Sequence, residues 1–135
     1  MSRRCVLLVE DNRDDEELAV LALEKAGVDC AVEVVRDGEE AVDRLFGPKA
    51  PPSVILLDLK LPKLDGFQIL ARIRAHSVTR LVPVVVLSSS DVREDIVRAY
   101  ELGASAYVQK PVEFTRYVEV VAALGKFWVD LNQGP

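Results

Sequence analysis

Cysteine is scarce in this sequence, basic charge is in deficit, and long apolar runs are missing. Each absence closes a class of function. Cys5 and Cys30 are the only cysteines and stand in no Cys-x-x-Cys or Cys/His spacing. A structural zinc site is therefore excluded. They read as small buried hydrophobes in a reduced, cytoplasmic protein. The 17 Lys and Arg are outnumbered by 22 Asp and Glu, for a formal charge of −5. Apart from Arg3-Arg4 the basic residues are scattered among acids, which leaves no face for nucleic acid. The opening apolar run stops at Glu10, too short for a signal peptide. Nothing approaches the roughly 20 apolar residues that cross a bilayer, so no membrane role is expected. His76 is the single histidine; it reads as a surface residue of a loop or helix end, not as a phosphohistidine relay.

What remains is a chain able to fold. Half of its 135 residues are hydrophobic and 29% are charged, enough to bury a core. One domain over residues 1–135 accounts for the length, and no second domain is expected.

Short apolar runs alternate with amphipathic stretches. Cys5–Val9, Val54–Leu57 and 83–87 are continuously apolar, as parallel strands covered on both faces are. Ala31–Val35 carries Glu33 mid-run and Ala106–Gln109 is short, so both read as edge strands. Helices are expected over about 14–26, 39–46, 67–74 and 113–131. The first should present Leu18, Leu21, Ala22 and Ala26 inward and stop at Gly27. A further helix should be capped by Asp91 with Glu94 as its capping-box partner, and carry Val92, Ile96, Ala99, Tyr100 and Gly103 on one face. Alternation of this kind implies an α/β, doubly wound, five-stranded parallel sheet, (βα)5. Right-handed crossovers and one switch point predict strand order 2-1-3-4-5.

Open parallel sheets bind ligands at the carboxyl ends of their strands. There this reading delivers Glu10-Asp11 after strand one, Asp58 after strand three, Ser88 after strand four and Lys110 after strand five. Clustered carboxylates raise one another's pKa unless a cation is present. Mg²⁺ suits them, with its hard-oxygen preference and retained waters. Metal, amine and hydroxyl together match the equatorial oxygens of a transferring phosphoryl group. An Asp carboxylate can supply the nucleophile as an aspartyl-phosphate. Taken singly, Glu10 and Asp11 could be helix-capping acids, Asp58 a turn residue, Ser88 a cap and Lys110-Pro111 surface punctuation. Their arrival at one sheet edge in one reading of the fold favours a site.

VLLVEDN, ILLDLKLPKLDG, PVVVLSSS and GASAYVQKP together resemble the receiver domain of two-component response regulators, over essentially the whole chain. The resemblance implies a flavodoxin-like receiver fold, with Asp58 as phospho-acceptor. It implies that Glu10, Asp11, Asp58 and the backbone carbonyl of Lys60 hold Mg²⁺. Ser88 would be the switch hydroxyl, Lys110 the phosphate-contacting lysine, Tyr107 the switch aromatic, and Pro111 would follow a cis bond. Ser88 stands where threonine is frequent, and Lys60 and Ser90 occupy positions that tune phosphoryl lifetime. The LLDLKLPKLDG loop and the ending VEVVAALGKFWVDLN further resemble single-domain regulators that serve phytochrome-type sensor histidine kinases.

Two rivals fare worse. A dehalogenase-type phosphatase needs a second Asp two residues after the nucleophile, where Lys60 stands. A flavodoxin-like flavin binder needs a Ser/Thr/Gly-rich loop after strand one, and EDNRDDEE would repel phosphate. A receiver reduced to docking is disfavoured by its complete set of site residues. The last helix carries Phe114, Tyr117, Val118, Val121, Leu124, Trp128 and Leu131 on one stripe, widened by Val120 and Phe127. That surplus predicts a homodimer through the fourth and fifth helices and fifth strand, with Tyr117, Phe127 and Trp128 as anchors.

Overall fold

A computed structural model describes residues 4–135; Arg3 of the arginine pair lies outside them. Five strands alternate with five helices: β1 (Cys5–Val9), α1 (Arg13–Lys25), β2 (Ala31–Val35), α2 (Gly38–Leu45), β3 (Val54–Leu57), α3 (Gly66–Ala75), β4 (Val84–Ser88), α4 (Arg93–Glu101), β5 (Ala106–Gln109) and α5 (Phe114–Gly125). All pairings are parallel, in the order β2-β1-β3-β4-β5. Every residue of β3 and β4 is buried, whereas β2 and β5 are mostly half-buried. The two edge strands are thus the two whose sequences interrupt the apolar run. Glu33 survives mid-strand because Arg44 of α2 forks onto it at 2.6 and 3.2 Å.

Side chains alternate across each strand, and this builds two cores. Val6, Leu8, Leu56 and Val85 meet Ala19, Ala22 and Leu23 of α1 and Tyr117 and Val121 of α5. Leu7, Val9, Ile55 and Val84 meet Ala41 and Leu45 of α2 and Ile69, Leu70 and Ile73 of α3. Asn12, Asp37 and Asp65 cap α1, α2 and α3 by accepting main-chain N–H groups. These caps hold the helix starts against the carboxyl ends of the strands.

Three local expectations are corrected. The inner face of α1 is Ala19, Ala22 and Leu23, and Leu21 is exposed. Residues at i, i+3 and i+4 from Ala19 face the sheet, a stripe rotated from the one expected. Asp91 does not cap α4, whose N-cap is Val92 without a side-chain bond, and Ala99 is that helix's one buried residue. The last helix is not uniform. Its α-helical part ends at Gly125, and Lys126–Leu131 widens into a π-helix. A Cβ at Gly125 would sit 2.4 Å from Leu23 Cδ2, so the helix crosses α1 closely there. Among the described residues no helix is long and apolar enough to cross a membrane.

Candidate functional site

The main-chain ladder continues past the strands and places the first residue beyond each one. Val9 pairs with Leu57, and the Asp58 N–H then donates to the Val9 carbonyl at 3.1 Å. The Glu10 N–H donates to the Val35 carbonyl at 3.0 Å. Ser88 pairs with Gln109, and the Lys110 N–H donates to the Ser88 carbonyl at 2.7 Å. Sheet register therefore sets where these side chains begin. The β3–α3 loop folds back on the end of β3 at Gly66, where a Cβ would lie 2.5 Å from the Asp58 carbonyl oxygen.

Glu10 and Asp58 are buried and Asp11 is exposed. One carboxylate oxygen from each lies within 4.8 Å of the others. The Lys110 ammonium donates to Glu10 Oε1 at 2.5 Å, to Asp58 Oδ2 at 3.1 Å and to Asp15 Oδ2 at 2.9 Å. Burial, then the neighbouring Asp58 carboxyl, pushes Glu10 up to about 9 against the pull of Lys110. Burial alone would lower Lys110, but its bond to Glu10 and the charges of Asp58 and Glu10 hold it above the ordinary lysine range. Burial leads for Glu10, whereas for Lys110 the surrounding acids outweigh burial.

The donor set fits a divalent cation. Its members are hard oxygens. Glu10 Oε2 is buried and finds no hydrogen-bond partner among the described residues. An acid raised by burial and by a neighbouring carboxyl, with an unpartnered buried oxygen, is what a bound cation corrects.

Asp15 was legible as a charge and not as a member of the site. It reads as one of several acids, with Asp14 and Glu16, that favour a helix N-terminus. The usable signal was position: α1 starts three residues after Glu10, so its first turn overhangs the strand ends. Tyr117 Oη donates to the Asp15 carbonyl at 3.3 Å. Tyr117 is only 2% exposed, which removes it as a dimer anchor; the helix face that looked surplus is partly spent on this bond and on the core.

Ser88 is fully buried at the end of β4, and its Oγ accepts the Ser90 N–H at 3.2 Å. Tyr107 packs beside Leu59, Phe67, Val86 and Ala99, and its hydroxyl donates to the Ser90 carbonyl at 2.9 Å. Lys60 is exposed, and its N–H donates to Asp58 Oδ1 at 3.2 Å. An open cleft of about 520 Å³ reaches from Lys60 past Ser88 and Ser90 to Asp95 and Arg98. No peptide bond among the described residues is cis, so Lys110–Pro111 is trans, against expectation. Trans is the lower-energy isomer of an X-Pro bond, and Lys110 reaches its three carboxylates from it. Phe127 stays exposed and meets the half-buried Trp128 edge-on at 5.0 Å. His76 half-buries at the end of α3 against Phe46, remote from the acids.

Comparison with known proteins gives the family and the fold. Residues 6–122 match the family model described as response regulator receiver domain. The probable methanogenesis regulatory protein FilR2 of Methanothrix harundinacea is 37% identical, over 96% of this chain and 86% of its own. Response regulator Rcp1 of Synechocystis is 33% identical over 94% of this chain and 90% of its own, and its Mn²⁺-bound crystal structure superposes with a TM-score of 0.92. The phosphorylated cyanobacterial phytochrome response regulator RcpA is 35% identical, with 99% of each chain covered and a TM-score of 0.94.

Proposed function

This chain belongs to the response regulator receiver family, and from that premise we propose that Asp58 accepts a phosphoryl group from a sensor histidine kinase. The observation that carries the reading is Asp58 itself, buried at the end of β3, with Glu10 and Asp11 oxygens within 4.8 Å and the Lys110 ammonium at 3.1 Å. In the reaction an Asp58 carboxylate oxygen bonds to phosphorus as the phosphorus–nitrogen bond of the phosphohistidine breaks. The imidazole leaves with the electron pair and takes up a proton. Hydrolysis returns Asp58 and releases phosphate. Lys110 holds one phosphoryl oxygen by charge, and the Ser88 hydroxyl donates to another. Glu10, Asp11, Asp58 and the Lys60 carbonyl would hold Mg²⁺. When bound, the ion neutralises negative charge on the phosphoryl oxygens.

Output follows from Ser88 and Tyr107. Drawing Ser88 toward the phosphoryl oxygen favours one arrangement of the β4–α4 loop, and Tyr107 reports it at the α4–β5 surface. The change is a shift between populations that exist beforehand. The kinase is of the phytochrome type, a reading supported by the likeness to RcpA and Rcp1. The same surface serves a homodimer. Val92, Val97, Tyr100, Val112 and Phe114 are exposed there, and Phe127 and Trp128, at the far end of the last helix, are the further anchors proposed.

The test is intact-mass spectrometry after incubation with a phosphorylated phytochrome-type kinase or a small phosphodonor. The wild type should gain a phosphoryl group with Mg²⁺ and none in EDTA. Full phosphorylation in EDTA would sink the metal reading, and an adduct on Asp58→Asn would move the acceptor elsewhere.

A further inference from the structure

The β4–α4 loop carries bonds that the phosphoryl chemistry does not use. Helix α4 starts without a side-chain bond from its N-cap residue Val92, and Ser90 instead holds the N–H of that residue. Ser90 Oγ accepts the Val92 N–H at 3.2 Å and donates to Asp95 Oδ2 at 2.7 Å. The Ser90 N–H donates to Ser88 Oγ, and the Ser90 carbonyl accepts the Tyr107 hydroxyl at 2.9 Å. Every polar group of this buried serine is committed, and its two sides face different elements. The side chain holds α4, and the main chain holds Tyr107 on β5.

Asp95 decides whether that arrangement is stiff. The bond from Ser90 Oγ ends on a carboxylate, and hydrogen bonds to ionised acceptors are the shorter and stronger kind. The Asp95 N–H in turn donates to the Val92 carbonyl, so its backbone is tied into the first helical turn, where its charge is favoured. Without an acceptor at position 95, Ser90 Oγ would keep only the bond from Val92, and the carbonyl that receives Tyr107 would lose its fixed aim.

We propose that Asp95 is a positioning residue: through Ser90 it holds the loop in the form that accepts the Tyr107 hydroxyl, and so sets the fraction of molecules with Tyr107 seated. The inference rests on Tyr107 being the switch residue. Its test is therefore run on the unphosphorylated protein, where it stands apart from phosphoryl transfer.

The measurement is fluorine NMR on full-length protein labelled with 3-fluorotyrosine, with Tyr107→Phe assigning the Tyr107 signal among three tyrosines. Asp95→Ala should move that signal toward the position of a solvent-exposed fluorotyrosine, and Ser90→Ala should move it the same way. Asp95→Asn keeps an oxygen that accepts from Ser90 Oγ, and should restore most of the shift. Circular dichroism and thermal melting of each variant establish that the fold is intact. A Tyr107 signal unmoved in Asp95→Ala overturns the proposal, and so does an equal displacement in Asp95→Asn. Intact mass of the wild type after phosphodonor treatment tests the function separately. Its failure would remove the role of Asp58 while leaving the Asp95 result to be judged on the NMR alone.

Discussion

Glu10 brings its carboxylate to a buried corner where Asp58 and Asp15 already share one ammonium, that of Lys110. Its pKa is raised from 4.5 to about 9 by burial first and Asp58 second. The folded state therefore holds this proton more tightly than the unfolded chain. That contribution to stability is complete below 4.5 and is lost as pH rises toward about 9. Lys110 is raised too, so its contribution persists through the same window and fades only above it. Metal-free protein should accordingly lose stability across this window, and Mg²⁺ should stabilise it more at the top than at the foot. Denaturant titrations with Mg²⁺ or EDTA measure both effects, and Glu10→Gln should flatten them. Asp58→Asn should accept no phosphoryl group and should gain up to about 1 kcal/mol of stability, because one repelling charge is gone. The site acids, Ser88 and Lys110 were all legible from strand ends. Asp15 was not, because a first-turn acid has a sufficient local explanation.

Between elements, Arg74 of α3 does work that no pattern announces. Its guanidinium donates to the Gly103 carbonyl at 2.9 Å, the Val82 carbonyl at 2.7 Å and the Arg80 carbonyl at 3.0 Å. It thereby ties the start of β4 to the α4–β5 turn. Gly103 has φ +103°, and a Cβ there would lie 2.8 Å from Arg74 Cγ, so the glycine serves both the turn and the latch. Arg74→Ala should cost about 2–3 kcal/mol by leaving these carbonyls without a charged donor. Arg74→Lys should recover only part of that, since an ammonium cannot reproduce the fork. Chemical denaturation checks both, and phosphoryl uptake should stay at the wild-type level. The strands were readable at this scale because burial on both faces demands an unbroken apolar run. The inner face of α4 was readable only in part: Ala99 and Ile96 turn in as expected, but Val92 and Tyr100 stay exposed, because a helix that buries one residue leaves its phase weakly constrained.

For the whole molecule, exposed apolar residues around α4 and the start of α5 are Val92, Val97, Tyr100, Val112 and Phe114, while Leu21, Val78, Leu81, Phe127 and Leu131 lie elsewhere. Dimerisation through that face should appear in sedimentation as a self-associating wild type and a monomeric Phe127→Glu variant. A wild type monomeric at high micromolar concentration, with and without a phosphoryl mimic, would end the idea. Tyr100→Ala, which removes an exposed ring from α4, should weaken association while leaving phosphoryl uptake unchanged.

The amino-acid order by itself determined the sheet: which segments are strands, which two are edges, and which side chains emerge at the carboxyl ends. Burial on both faces and right-handed crossovers leave little choice once the apolar runs are placed. Tertiary structure decided what depends on rotation and distance. It turned α1 so that Ala19 and Leu23 face inward, buried Tyr117 beneath the Asp15 carbonyl, and bonded Ser90 to Val92 and Asp95 at the start of α4. It also brought the Lys110 ammonium to three carboxylates, two of them 95 and 100 residues away in the chain. Such contacts have no sequence period, because they are set by how helices roll on the sheet and not by the spacing of residues along it.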